Sequence, residues 1–232
     1  MTTAQDGGFP MKEERGPAPA PPTLVPQGLT VAISRQAGAR GNSIARRLSR
    51  QLGWAIYDRE MLTFMAQEDI ASQLALPTDT DSTRAWANAY LAHLQATQQI
   101  RGDELFLALV RVLLRLAAVG EVIIVGRGAG HILPPESVLH VRVVAPTADR
   151  IGYLSQWLRL PPEAAAHEVR RRDQRRADFL AAHYPHASTE LDQYDLGLNS
   201  SRLGEEQCVD LIVTAIKQKM NRRPQSHSEL SV

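Results

Sequence analysis

The segment Val31–Leu48 reads VAISRQAGARGNSIARRL: an apolar run, a turn of small residues, then an amphipathic stretch. Backbone amides that converge on an anion need small side chains around them, and a helix opening from the turn adds the positive end of its dipole. Ala37, Gly38, Ala39 and Gly41 supply the small residues, and Ser43 supplies a hydroxyl suited to magnesium. The usual phosphate-loop pattern of glycine, four residues, glycine, lysine and a hydroxyl residue is broken, with Arg35 at the first glycine position and Gly41 at the lysine position. Arg35 and Arg40 offer the missing positive charge, because a guanidinium binds phosphate oxygens well. Taken alone, the segment is equally consistent with a tight structural turn carrying solvated arginines.

Two more segments carry charge of interest. GRGAGHILPP follows an apolar run, but a dinucleotide fingerprint would need glycine where His131 stands, so that reading fails. Arg127, among those glycines, is placed either to clamp an anion or to serve the turn. EVRRRDQRRADF (Glu168–Phe179) holds five arginines and two aspartates. As a helix it sets Arg172, Arg175 and Arg176 near one face, either solvated or covering a phosphate site. Nucleic acid is disfavoured as a partner, since the net charge is only +1 and no aromatic residues interleave with the arginines. GARG has the form of the clamp in a KH domain, but that clamp joins two helices and this one follows a strand.

A frame must bring these residues together. LTVAIS, WAIYD, EVIIV, VLHVRVV and YDLGLNSS read as strands. The first helix carries Ile44, Leu48 and Leu52 and stops at Gly53. Another begins near Arg59, and a third follows the polar gap LPTDTDST, with Asp81 or Ser82 as its N-cap and Trp86, Tyr90 and Leu94 as its apolar stripe. DELFLALVRVLLRLAAVG is apolar almost all round except for Glu104, Arg111 and Arg115, so it is buried on most sides. TADRIGYLSQWL is a further helix. A closing helix runs from Gly204 to about Met220, with Glu205 and Glu206 at its positive end. This alternation predicts a parallel α/β sheet with helices on both faces. Ligands of such sheets bind at the carboxyl ends of the strands, where SRQAGARGNS and GRGAGHILPP both stand.

The remaining composition bounds the answer. The chain of 232 residues is 44% apolar and 22% charged, ordinary for a folded domain. One cysteine, Cys208, rules out an internal disulfide and a cysteine-rich metal site; it suits a reducing cytoplasm and reads as a small buried hydrophobe. No apolar run reaches the roughly 18 residues that a membrane helix needs. Residues 1–27, rich in proline, alanine and glycine, are expected to be a disordered tail, and the polar end from Asn221 is expected to fray.

In order along the chain, VAISRQAGARG, YDREML, VIIVGRGAGHIL, LHVRVVAP, RRRDQRRADF and YDLGLNSSRLG followed by VDLI resemble the landmarks of the cytidylate kinase-like family, a branch of the P-loop nucleoside monophosphate kinases. The resemblance runs from Leu29 to Lys217. In that branch the loop begins Ser-Arg-Gln or Ser-Arg-Glu and lacks the lysine, which suits Arg35 and Gly41, whereas Ala39–Arg40 replaces its usual Ser-Gly. The G-R-D-x-G-T motif of true cytidylate kinases is similar to Gly126–His131, with Gly128 and His131 in place of the substrate-facing Asp and Thr. Their R-D lid motif is similar to Arg172 and Asp173, while the later lid positions hold Arg176 and Phe179. Their adenine-side D-T-T loop is echoed by Asn199, Ser200 and Ser201.

The resemblance implies a P-loop NTPase-type sheet over residues 28–220, with an acceptor-binding helical part at about 58–119 and a helical lid at about 159–188. It implies an ATP-dependent cytoplasmic phosphotransferase with magnesium (Mg2+), acting on a nucleoside monophosphate or similar small phosphorylated acceptor, with no membrane partner. Arg35, Gln36, Ala37, Gly38, Ala39, Arg40, Gly41, Asn42 and Ser43 would hold the donor's phosphates, with magnesium at Ser43. Asp58 would orient the acceptor or hold magnesium through water, and Arg59, Arg127 and His131 would meet the acceptor. Arg40, Arg172, Arg175 and Arg176 would stabilise the transferring group as a lid closes. With Gly128 and His131 the cytidine-reading groups are missing, so the acceptor need not be CMP. The other outcome left open is a nucleotide- or anion-binding sensor that keeps the fold without the chemistry.

Overall fold

The computed structural model describes residues 28–70, 74, 76, 80–187 and 190–222; the expected N-terminal tail, residues 77–79 of the polar gap and the C-terminal end from residue 223 lie outside them. Strands β1 (Thr30–Arg35), β2 (Ala55–Tyr57), β3 (Val122–Val125), β4 (Val138–Val144) and β5 (Leu196–Asn199) pair in parallel in the order β2-β3-β1-β4-β5. The connections hold helices α1 (Gly41–Leu52), α2 (Arg59–Ile70), α3 (Asp81–Ala96), α4 (Glu104–Val119), α5 (Thr147–Leu158) and α6 (Pro162–His183), and α7 (Ser200–Asn221) closes the chain. The parallel sheet expected from the alternation is the one that forms. Because β3 and β4 flank β1, the loops after all three meet at the middle of its carboxyl edge, where open α/β sheets take ligands.

Both faces of the sheet are covered, and strand periodicity assigns the residues. Val31 and Ile33 of β1 pack with Ile123, Val141 and Val143 against α1 and α7, through Ile44, Leu48, Cys208 and Ile212. Ala32, between them, turns to the opposite core with Ile124, where α2, α3 and α4 bring Leu62, Trp86 and Leu113. Each fully buried leucine there is worth roughly 1.5–3 kcal/mol of transfer free energy, so Leu113→Ala would cost about 2–5 kcal/mol. A third, smaller cluster of Leu154, Ala165 and Val169 joins α5 to α6, and Ala37 of the first loop packs into it.

Local chemistry adjusts several expected boundaries. The α3 cap is Thr80 rather than Asp81 or Ser82: Thr80 is extended (φ −101°, ψ 163°) and its Oγ1 accepts from the Thr83 amide at 3.1 Å. Asp81 instead lies inside the first turn and pairs with Arg84. In α4, Asp103 caps the Phe106 amide, and the expected polar stripe meets α2: Arg111 and Arg115 bind the two oxygens of Asp69 at 2.9 and 2.6 Å. The last strand is shorter than YDLGLNSS, because Asp195 turns to accept from the His140 amide and Asn199 caps a turn of helix from Ser200. That helix breaks at Gly204 (φ 75°, ψ 170°), the position expected to begin it.

Candidate functional site

The loop between β1 and α1 is held open by close backbone contacts. Gly38 takes φ 78°, and a β-carbon there would run into the Arg150 carbonyl of α5, so the crossing needs glycine on both counts. The Arg40 side chain makes no capping hydrogen bond at the start of α1, and the first intrahelical bond is from Ile44 to Arg40. The amides of Gly41, Asn42 and Ser43 therefore have no intrahelical acceptor, the arrangement that makes a helix start attractive to an anion. Gln36 braces the loop from behind, its side-chain oxygen accepting from the Ala145 amide at 3.1 Å.

The two loop arginines part company. Arg40 sits at the helix start in a left-handed conformation (φ 58°), and its guanidinium lies 5.4 Å over the Tyr153 ring of α5. Arg35 runs the other way. Its stem fills the space beside Gly41, where a β-carbon would come within 2.7 Å of the arginine's own Cβ. Its guanidinium donates to Asn42 Oδ1 at 3.2 Å and closes on the backbone of Gly126. Arg35 thus occupies the place a lysine at position 41 would claim. Burial, then repulsion from the guanidiniums of Arg176 and Arg59, lowers its hold on its proton, against a smaller pull from Glu60 and Asp58. An arginine stays charged in such a setting, so the site carries an excess of buried positive charge.

Ser43 does not face open space: its hydroxyl donates to Glu205 Oε2 at 2.5 Å, and the same oxygen accepts from Arg47 at 2.9 Å. Asp58 caps α2 through the Met61 amide at 3.1 Å, and Arg59 binds Glu60 at 2.7 Å. Arg127, also left-handed (φ 58°), hydrogen-bonds Thr63 and lies 5.1 Å over Phe179, while its Nε has no partner among the described residues. Burial and then Arg59 lower its proton affinity. It opens onto a cavity of about 150 Å³ lined by Thr63, Ala66, Leu105, Phe106, Phe179 and His183 among others. His131 turns away from that cavity and packs against His140, ring centroids 4.9 Å apart. Its Nε2 is unpartnered among the described residues. Burial pushes its proton affinity down, with Arg142 adding to the effect.

The three arginines expected on one lid face are drawn apart by their acidic neighbours. Arg172 binds Glu168 and lies 6.0 Å over Trp157, and Arg175 is exposed. Only Arg176 turns toward Arg35, held by Asp173 at 3.1 Å. Asp173 is the hub that residue types alone do not reveal. One oxygen accepts from the Ala37 amide at 2.7 Å and the other from Arg150, which also reaches the Ala37 carbonyl at 3.3 Å. The sequence places Asp173 in the lid motif and Glu205 near the start of the last helix, but does not show the roles they take at the loop. Both rest on contacts between segments more than a hundred residues apart, for which no local pattern exists.

No curated protein matches this sequence. Among solved structures, an uncharacterized protein from Eubacterium ventriosum ATCC 27560 superposes with a TM-score of 0.58 at 16% identity, covering 82% of this chain and 98% of that one. TT1252 from Thermus thermophilus gives 0.47 at 16% identity over 83% and 98% of the two chains. Shikimate kinase from Bacteroides thetaiotaomicron gives 0.43 at 13% identity over 82% and 98%. The first likeness bears on the fold alone, and the other two carry no argument. The sequence itself matches the profile of the cytidylate kinase-like family over residues 30–202, which spans β1 to the start of α7 and includes both the loop and the lid helix. The chain belongs to the cytidylate kinase-like family.

Proposed function

We propose that the protein is an ATP-dependent phosphotransferase acting on a small phosphorylated acceptor in the cytoplasm. One observation carries this reading: the lysine position is empty of a side chain, and the guanidinium of Arg35 stands in its place beside a helix start that the Arg40 side chain does not cap. Phosphoryl transfer asks mainly for positioning and charge neutralisation, since side chains have little covalent chemistry to perform. The amides of Gly38 to Ser43 hold the donor's phosphates, with Arg35 supplying the charge. Arg176, tethered to the loop through Asp173, meets the transferring group as the lid closes. Arg127 and Arg59 grip the acceptor's phosphate. Asp58, the residue just before Arg59, orients the acceptor. Arg172 and Arg175 take part only if they leave their present positions. Arg40 belongs on the donor's side, against Tyr153.

Magnesium, when bound, would supply charge neutralisation at the phosphates. Ser43 and Glu205 offer it hard oxygen donors, and no group of three acidic, histidine or cysteine side chains able to hold a metal exists among the described residues. A donor set so small fits an ion that keeps waters and leans on substrate phosphates. The acceptor is not read as cytosine is in true cytidylate kinases. Gly128 takes φ 70° and a β-carbon there would strike the Tyr184 ring, so no Asp fits at that position without displacing it. The wall beside Arg127 is mostly aromatic and aliphatic instead, with Thr63, Asp103 and His183 its other polar members.

The test is magnesium-dependent ADP release across a panel of nucleoside monophosphates, sugar phosphates and small alcohols. The proposal expects turnover with at least one phosphorylated acceptor. A second reading, a nucleotide or anion sensor, is favoured by the partners that Ala37 and Ser43 already have within the protein. ATP binding with no turnover on any acceptor, and with Arg176→Ala leaving binding unchanged, would decide for the sensor.

A further inference from the structure

On the β4 side of the cleft a second group of polar side chains has no assigned task. Arg142 lies beside Ser34 in the sheet register and opposite Gly197 of β5, where a β-carbon would stand 3.3 Å from a methyl of Leu191. Its guanidinium lies 5.6 Å over the Tyr194 ring, a half-buried position with no hydrogen bond or ion pair to a carboxylate among the described residues. The carboxylates on this side are already taken, Asp195 by Lys219 and the His140 amide and Asp173 by Arg150 and Arg176, while Arg176 lies near enough to Arg142 for mutual repulsion. Two buried polar atoms next to it also have no partner among the described residues, Nε2 of His131 and the hydroxyl of Tyr194, with the two rings 6.1 Å apart. His140, by contrast, is fully engaged, with Ser34 at 3.1 Å and the Gln193 carbonyl at 2.8 Å. A stack on tyrosine does not replace a counter-ion, and buried charges are ordinarily paired.

We propose that Arg142, Arg176 and His131 form a second anion subsite on the β4 side of the cleft, which takes a phosphate or carboxylate group of the small-molecule ligand separate from the group gripped by Arg127 and Arg59. Arg142 and Arg176 supply the charge, and the Tyr194 hydroxyl and His131 ring complete the hydrogen bonding. Arg176 is shared: it is within electrostatic reach of both Arg142 and Arg35, so the subsite adjoins the transfer position. The acceptor is then a compound with two separated anionic groups. That the ligand is the acceptor rests on the phosphotransferase reading; that an anion binds at Arg142 does not.

The probe is inorganic phosphate, titrated calorimetrically into the full chain saturated with magnesium and β,γ-imido ATP, with malonate as the carboxylate arm. Wild-type protein should take up an anion that Arg142→Gln loses or binds at least tenfold more weakly, and that Arg142→Lys partly restores. Arg127→Gln should leave this uptake in place. Phosphate uptake without malonate uptake assigns a phosphate, and the reverse assigns a carboxylate. Arg142→Gln protein with wild-type stoichiometry and affinity overturns the subsite. Should that variant fail to fold, NMR of the wild-type chain decides: phosphate must shift the Arg142 Nε–H and His131 ring signals, and unmoved signals overturn the proposal. Failure of the ATP analogue to bind would sink the phosphotransferase reading while the phosphate titration, run without it, still decides the subsite.

Discussion

The carboxylate of Asp173 in α6 accepts a hydrogen bond from the Ala37 amide at 2.7 Å, tying α6 to the loop between β1 and α1. The same carboxylate pairs with Arg150 and Arg176, so one side chain joins the loop, α5 and α6. Asp173→Ala should lower stability by about 1–3 kcal/mol, less than a fully buried pair because the aspartate is about a third exposed. Amide hydrogen exchange at Ala37 and through α6 should quicken. Unchanged exchange in α6 would show that the tie does not hold the helix.

Restoring the family-atypical lysine should fail unless its space is cleared. A β-carbon at Gly41 would stand 2.7 and 2.8 Å from Cβ and Cγ of Arg35. Gly41→Lys alone should cost about 1–3 kcal/mol, as overpacking does. Combined with Arg35→Gly it should recover much of that loss, giving a coupling of about 0.5–3 kcal/mol in a double-mutant cycle. Additive effects on thermal denaturation would mean that the two positions do not compete for one space.

How far this site was legible follows from the range of each signal. Strand and helix periodicity is local, so β1, α1, β3, β4 and α5 lie almost where their residues imply. The choice between Arg35 and Arg40 was not legible, because it turns on the left-handed backbone of Arg40 and on the stem space beside Gly41. The lid arginines share a helical face by spacing, yet Glu168 and Asp173, on the same helix, pull Arg172 and Arg176 to different neighbours. At the start of α3 several residues could cap, and only the extended backbone at Thr80 selects one.

Stability should fall in mild acid through His140. The ring is 3% exposed, and burial, with His131 and Arg142 adding to it and the Gln193 carbonyl and Asp195 opposing, lowers its pKa from the ordinary 6.5 to about 4. Between those values the unfolded chain binds the proton and the folded chain does not, so stability is full above pH 6.5 and declines as pH falls toward 4. The loss reaches up to about 3 kcal/mol, and His131, shifted in the same direction, adds to it. Urea denaturation across this range should show the decline flattened in His140→Gln. An equal decline in the variant would place the acid sensitivity elsewhere.

Installing the cytidine-reading aspartate should not create a CMP kinase. Gly128→Asp forces a side chain into a left-handed backbone and onto the Tyr184 ring, at a cost of about 1–3 kcal/mol. CMP turnover should stay at the wild-type level, while Tyr184→Phe, which keeps the ring and loses only the bond to the Arg127 carbonyl, should cost about 1 kcal/mol. A gain in CMP turnover from Gly128→Asp would show that the ring moves aside.

The central claim is that Arg35 supplies the charge for a phosphate-binding loop without lysine. Calorimetric titration of ATP with magnesium into wild-type protein and Arg35→Ala tests it most directly. The account predicts binding by the wild type and at least a tenfold loss in the variant, whose stability should hold because relief of repulsion with Arg176 and Arg59 offsets the lost contacts. No binding by the wild type, or equal binding by both, would contradict it.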